Sequence, residues 1–124
     1  MIYFIDERRK SETFSVLLER KRLEKGLTAP QLYEGAWIDR KLYSKINGNR
    51  HYHPSKNTAI ALGFSLKLTK EEMEELLASA GYILSMSSIF DLVILFSLEN
   101  DIYDLYDVNA LLITADQKVL CKEL

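Results

Sequence analysis

The residues whose types and spacing could do chemistry are the cations between positions 40 and 56. This segment holds five Lys or Arg and two His and contains no Asp or Glu: Arg40, Lys41, Lys45, Arg50, Lys56, His51 and His53. Clustered cations attract phosphate groups, and Arg and Lys also donate to the O6 and N7 acceptors of guanine. The segment therefore predicts a local basic patch suited to an anionic partner.

The net charge of the whole chain does not reflect this basic patch. The formal net charge is −2, which alone would argue against a nucleic-acid binder. Residues 1–67, however, carry thirteen Lys or Arg against seven Asp or Glu, whereas residues 68–124 carry three against eleven. The chain is thus polarised, with a basic first half and an acidic C-terminal part.

Signals for catalysis or for a bound cofactor are missing from the sequence. There is no glycine-rich phosphate loop, no Cys/His cluster and no nucleophile with an obvious base. His51 and His53 lack further His, and Cys121 is far away in sequence, so we expect no metal site. The acidic run that begins at Glu71 suits the start of a helix. We expect neither an enzyme nor a cofactor.

Length and composition indicate one ordinary domain of 124 residues, 48% of them hydrophobic. A lone cysteine and the lack of a signal-peptide pattern favour a cytoplasmic setting. The longest apolar run, residues 89–98, is half the roughly 20 residues that a membrane span requires. We therefore expect no membrane association.

Apolar spacing and capping residues predict an all-α chain. Helices are expected at about 12–25, 29–35 and 40–47, with Gly26 ending the first helix and Thr28 and Asp39 capping the next two. Phe14, Leu17, Leu18 and Leu23 mark the apolar face of the first helix. Ser55 and Thr69 are expected to cap a fourth and a fifth helix, the latter ended by Gly81. Residues 1–11 stay unassigned, because the apolar start fits either a short strand or a tail.

The C-terminal third reads differently from the rest. Residues 89–98 are apolar nearly all the way round a helix, which requires burial on most sides. This helix either packs on the rest of the chain or forms a dimer interface. An amphipathic helix is expected at about 104–113, and residues 117–121 fit either helix or strand. The sequence therefore divides into a five-helix unit, residues 12–81, and a C-terminal helical extension, residues 82–124.

A gapless pattern of apolar and polar positions now identifies a family. It runs Leu27-Thr28-x-x-x-Leu32-x-x-x-Ala36-x-Ile38-x-x-x-x-x-Ser44-Lys45-Ile46-x-Gly48 and resembles the helix-turn-helix of the phage repressor and Cro type, the XRE family. The resemblance, which covers about residues 12–81, implies a five-helix DNA-binding domain whose recognition helix, about 39–47, enters the major groove.

The resemblance also implies roles for single residues. Base edges or nearby phosphates would be contacted by Arg40, Lys41, Ser44 and Lys45. Thr28 and the amides at the start of its helix would hold the DNA backbone, and Asn49 and Arg50 would meet the next phosphates.

Three positions depart from the family pattern. Ala29 stands where a phosphate-binding Gln is common, and Tyr33 stands where a small residue packs at the helix crossing. Trp37 replaces the glycine of the turn. We expect Tyr33 to widen the crossing, and Trp37 to be strained if its φ is positive.

The sequence predicts a sequence-specific, double-stranded DNA-binding transcriptional regulator, an all-α, five-helix repressor-like domain with C-terminal helices. Two copies would occupy a paired operator, because one such module makes few phosphate contacts. The alternative is a protein-interaction module on the same scaffold, without DNA binding. In the manner of an antitoxin or a defence-related protein, it would bind a partner such as a toxin, defence protein or nuclease through the acidic C-terminal third.

Overall fold

The computed structural model describes residues 1–9 and 12–123, and this part of the chain is all-helical. It contains eight helices and no strand, which confirms the all-α prediction: α1 (Ile2–Arg9), α2 (Phe14–Lys25), α3 (Ala29–Gly35), α4 (Arg40–Gly48), α5 (Lys56–Ser65), α6 (Lys70–Ser79), α7 (Ile89–Glu99) and α8 (Leu105–Thr114). None of the helices in these two ranges is long and apolar enough to cross a membrane.

Side-chain caps fix where the helices begin. Thr28 accepts from the backbone N–H of Gln31, whose side chain accepts from the Thr28 N–H at 2.8 Å. Thr69 and Glu72 form the same reciprocal pair at the start of α6. Asp39 and Ser55 cap α4 and α5. Each cap satisfies a backbone donor that has no partner inside the helix, and all four predicted starts are confirmed.

Helices α2 to α6 enclose the main core. α5 is buried along most of its length and packs against α3 and α6, while α2 packs against α4 and α6. The side chain of Ser65 donates to the Leu32 carbonyl at 2.7 Å and lies where a Cβ at Gly35 would be. Close approach of α3 and α5 therefore requires a glycine at position 35. Twelve large side chains are almost fully buried: Leu18, Leu32, Ile46, Ile60, Leu62, Phe64, Leu66, Leu68, Met73, Leu76, Leu77 and Ile94.

The inner face of α2 differs from the prediction at one position. Phe14, Leu17 and Leu18 are buried, but Leu23 is 64% exposed and the prediction for it is wrong. Lys21 continues the buried face, seven residues after Phe14. Its ammonium lies 3.1 Å from a Glu75 carboxylate oxygen. The helical repeat places Lys21 inside, where the charge is tolerated because α6 supplies carboxylates.

The C-terminal extension is attached through a buried ion pair. Asp91 of α7 is 3% exposed and contacts the Lys56 ammonium of α5 at 2.8 Å. The backbone N–H of Ser85 donates to the same carboxylate at 2.8 Å. One carboxylate therefore joins the start of α5, the loop before α7 and α7 itself.

Only one side of α7 is buried. Ile94 and Leu98 belong to the core, but Ile89, Leu92 and Phe96 are 58%, 39% and 51% exposed. The chain's own described residues therefore do not bury this helix on most sides, and the alternative of a dimer interface stays a prediction. Its inner face meets α6 and α8, and no described element covers its outer face.

The two chain ends also differ from the alternatives that the sequence left open. Residues 2–9 form α1, with exposed side chains at Met1–Ile5, so the apolar start is not a strand. Residues 10 and 11 of the unassigned segment lie outside the described residues. Residues 117–121 are neither helix nor strand. The side chain of Asn109 holds this segment instead: its amide oxygen accepts from the Leu120 N–H, and its amide nitrogen donates to the Cys121 carbonyl.

Candidate nucleic-acid interface

The exposed face of α4 carries the predicted base-contacting residues. Arg40, Lys41, Ser44 and Lys45 are all exposed, whereas Tyr43 and Ile46 are buried. At about 100° per residue, the four exposed positions span roughly 140° of the helix surface. The structure thus brings these four side chains together on one solvent-facing strip.

The cations of this strip are not neutralised by the part of the chain that the structure describes. Arg40, Lys41 and Lys45 form no ion pair with any residue in ranges 1–9 and 12–123, and neither does Arg50. Six cations elsewhere do have carboxylate partners, namely Arg20, Lys21, Arg22, Lys25, Lys56 and Lys70, whereas Lys67, Lys118 and Lys122 form no ion pair with a described residue either. Asp39, next to the strip, accepts from the Leu42 N–H at 2.7 Å. The strip therefore presents hydrogen-bond donors that an external anion can reach.

Thr28 is exposed at the start of α3, but its own cap uses part of its bonding capacity. Its backbone N–H donates to the Gln31 side chain, and its hydroxyl oxygen accepts from the Gln31 N–H at 3.2 Å. Pro30 has no N–H to offer. The hydroxyl proton of Thr28 and the N–H of Ala29 are what this helix start can present to a phosphate.

Asn49 and Arg50 lie at the other end of α4, in the turn that follows it. The Asn49 side chain accepts from the His51 N–H at 2.9 Å, which shapes the turn. Arg50 is exposed and lines a cleft beside Ser15 and Val16 at the start of α2. Arg50 is thus outside the α4 strip and flanks it.

The turn between α3 and α4 carries the anticipated strain. Trp37 has φ 57°, in the left-handed region that glycine adopts most readily. Its indole packs edge-on against Tyr106 of α8, with ring centroids 4.5 Å apart. The sequence does not reveal this contact, because the two aromatic residues are 69 positions apart. The aromatic side chain in the turn therefore attaches the C-terminal extension to it.

Tyr33 serves the packing of α3 on α4. Its ring lies 5.4 Å from that of Tyr43, tilted by 43°. The Tyr43 hydroxyl is buried and has no hydrogen-bond partner of ordinary geometry among the described residues. Burial raises the pKa of Tyr43. Two aromatic rings thus fill the helix crossing where a small residue would allow closer contact.

Acidic groups of the extension approach the opposite flank of α3. Asp101, Asp104 and Asp107 line a cleft of about 600 Å³ together with Gln31 and Gly35. Gln31 is two residues before Tyr33, roughly half a turn around the helix from the side that meets α4. These carboxylates therefore lie beside α3 and the turn at Trp37, and none of them forms an ion pair with the basic strip.

The structure also describes the histidines and the cysteine considered in the sequence. No group of three or more His, Cys, Asp or Glu within the described ranges could hold a metal ion. The His53 ring is hydrogen-bonded to the Ala80 carbonyl at 2.8 Å. Burial raises the pKa of Cys121 to about 11, which leaves it protonated and weakly nucleophilic at neutral pH.

Comparison with known proteins adds no assignment. The chain matches no protein-family model, no curated protein and no solved structure. The geometry of the α4 strip therefore carries the functional argument.

Proposed function

We propose that this chain is a sequence-specific, double-stranded DNA-binding transcriptional regulator of the phage repressor and Cro type, acting in the cytoplasm. In this proposal α2 to α6 are the five helices of a repressor-like domain, and α4 enters the major groove. The observation that carries it is the strip of Arg40, Lys41, Ser44 and Lys45, which is exposed and unpaired with any described carboxylate.

The proposed contacts follow from the position of each side chain. Arg40 and Lys41 begin α4, the end that reads base edges in a helix-turn-helix, and both suit the guanine O6 and N7 acceptors. Ser44 and Lys45, one turn later, would contact bases or the adjacent phosphates. Arg50 would bind the backbone beyond the groove, which adds affinity without sequence information.

Two further contacts complete the proposed interface. Thr28 would donate its hydroxyl proton to a backbone phosphate, and the amide of Asn49 would meet the phosphate next to Arg50. The buried side chains of Ala36 and Ile38 hold the α3–α4 connection rigid. A fixed angle between the helices allows α4 and the start of α3 to contact one duplex at the same time.

Single alanine substitutions separate base contacts from phosphate contacts. Arg40→Ala or Lys41→Ala is expected to cost about 1–3 kcal/mol on a selected site and less on random duplex. Arg50→Ala is expected to weaken all sequences alike and to reduce the salt dependence. Lys118→Ala, which removes an exposed cation of the extension, is the matched control. Equal losses for Arg40, Lys41 and Arg50 on both kinds of DNA would contradict the base-contacting roles.

The second candidate is a protein-interaction module that retains this fold without binding DNA. Two observations favour it: the exposed apolar side of α7, and the excess of acidic residues after position 67. Its partner would be a toxin, defence protein or nuclease, bound in the manner of an antitoxin. Failure to retain any duplex at low salt, with a folded protein, would select this candidate.

A further inference from the structure

The outer face of α7 is an apolar stripe, defined here as Ile89, Leu92, Val93 and Phe96. These positions follow the i, i+3, i+4, i+7 spacing of one helix face. Val93 is half-buried and the other three are exposed, with no charged side chain within the stripe. The opposite face, with Ile94 and Leu98, already belongs to the chain's own core. One helix therefore has two apolar faces, and only one is covered.

The stripe is large for a surface that meets only water. The loop leading into α7 adds Ile83 and Met86, which are 73% and 72% exposed. Together these side chains expose about 500 Å² of apolar surface, at the upper end of the largest patch on a typical monomer. A standard protein interface buries about 800 Å² on each partner, a size this patch reaches with a modest polar rim.

We propose that a second copy of this chain covers the stripe, with the two α7 helices packed antiparallel about a two-fold axis. An interface of this kind uses the same patch on both partners and so requires self-complementarity. The stripe meets that requirement, because it is apolar throughout and the larger Phe96 at one end faces the smaller Ile89 of the partner.

The charge next to the stripe favours the antiparallel direction. Glu99 is the last residue of α7, and no ion pair with a described residue involves it. In an antiparallel pair centred between Leu92 and Val93, each Glu99 lies near the partner's α7 N-terminus, where a negative charge is stabilised. A parallel pair would place the two Glu99 side chains together, next to two helix C-termini.

The dimer would supply the second DNA-binding unit of the proposed regulator, and this role rests on the proposed function. α7 packs mainly on α6 and α8, whereas α3 and α4 pack mainly on α5, on α2 and on each other. Pairing through the stripe therefore leaves both basic strips accessible, as two operator half-sites require. The dimer can nevertheless be tested without DNA, so its failure is distinguishable from a failure of DNA binding.

Sedimentation equilibrium of the full chain over a wide concentration range is the first test. We expect a mass of twice the 14.3 kDa monomer for the wild type. Phe96→Glu should raise the dissociation constant by about a hundredfold or more, because each dimer would bury two carboxylates. Leu23→Glu, a change at an equally exposed leucine of α2, is the control and should stay dimeric. A monomeric wild type, or a dimer unaffected by Phe96→Glu, would overturn the proposal.

Cysteine cross-linking in a Cys121→Ser background tests the direction of pairing. In the proposed dimer, position 92 of one protomer lies next to position 92 of its partner, so Leu92→Cys should form an intermolecular disulfide on mild oxidation. Ile89→Cys should not cross-link alone but should do so when mixed with Phe96→Cys. Efficient cross-linking of Ile89→Cys by itself would indicate parallel helices, and no cross-linking of Leu92→Cys would place the interface elsewhere. Either result contradicts the proposed geometry.

Discussion

The turn residue Trp37 combines an unfavourable backbone conformation with a favourable contact, and substitutions can separate the two. Its φ of 57° is left-handed, which costs an ordinary residue about 1–2 kcal/mol. Against this, half-burial of the indole contributes about 1 kcal/mol and its edge-on contact with Tyr106 about another. Trp37→Ala removes the contact and keeps the strain, so we expect a loss of about 2 kcal/mol. Trp37→Gly removes both the contact and the strain, so its net loss should lie between 0 and about 1 kcal/mol.

Urea denaturation followed by far-ultraviolet circular dichroism measures these differences and does not depend on the tryptophan itself. The expected order of stability is wild type, then Trp37→Gly, then Trp37→Ala. Tyr106→Ala, alone and combined with Trp37→Ala, should give a coupling energy of about 0.5–1.5 kcal/mol between the rings. Trp37→Ala being as stable as Trp37→Gly, or as stable as the wild type, would contradict this explanation.

Three further predictions concern stability. Tyr43→Phe removes a buried hydroxyl that makes no hydrogen bond of ordinary geometry with a described residue, although the Arg22 guanidinium lies near it. The free energy of unfolding should stay the same or rise by about 1 kcal/mol, and a clear loss would show that the contact with Arg22 is a stabilising hydrogen bond. The pKa of Glu72 is lowered to about 2 by the Thr69 N–H and then by Lys25, so its contribution, about 2 kcal/mol, should be complete above pH 4.3 and lost as the pH falls through 2. Glu72→Gln should flatten stability over that range, and an unchanged acid profile would contradict this account. Asp91→Ala leaves the Lys56 ammonium without its carboxylate and should lower the free energy of unfolding, measured by urea denaturation, by about 3 kcal/mol. A loss below about 1 kcal/mol would show that the ion pair does not hold α7 in place.

The starts of the helices were predictable because they depend on local chemistry. Thr28, Asp39, Ser55 and Thr69 each accept from a backbone N–H three residues later, an interaction that requires only the right residue at the right spacing. Gly26, with φ 71°, ends α2 for an equally local reason. Such signals do not depend on the rest of the fold.

What the sequence did not predict depends on contacts between distant residues. Lys21 lies on the buried repeat of α2 and Leu23 does not, but a buried lysine is tolerated only because α6 supplies carboxylates, which the sequence of α2 alone does not show. The contact of Trp37 with Tyr106 likewise depends on how the extension folds back. Apolar residues around all of α7 indicated burial, but a single chain cannot show whether the covering surface is its own or another molecule's.

The candidate interface was predictable to the extent that it lies on one helix. Because Arg40, Lys41, Ser44 and Lys45 follow a helical repeat, their common face follows from the capped start of α4. Arg50 lies beyond the end of α4, so its position beside α2 depends on the turn at Asn49. The sequence predicted that Thr28 caps α3, but it did not predict how many hydrogen-bond donors remain free at this helix start to bind a phosphate.

Selection of bound duplexes from a random pool, at low and at moderate salt, tests the central claim most directly. Fluorescence anisotropy would follow binding, and the retained fraction would be sequenced. The account predicts enrichment of a palindromic site with half-sites about 10 base pairs apart and guanine at the positions that Arg40 and Lys41 contact. No retention of any duplex at low salt by the folded protein would contradict DNA binding and would point to a protein partner.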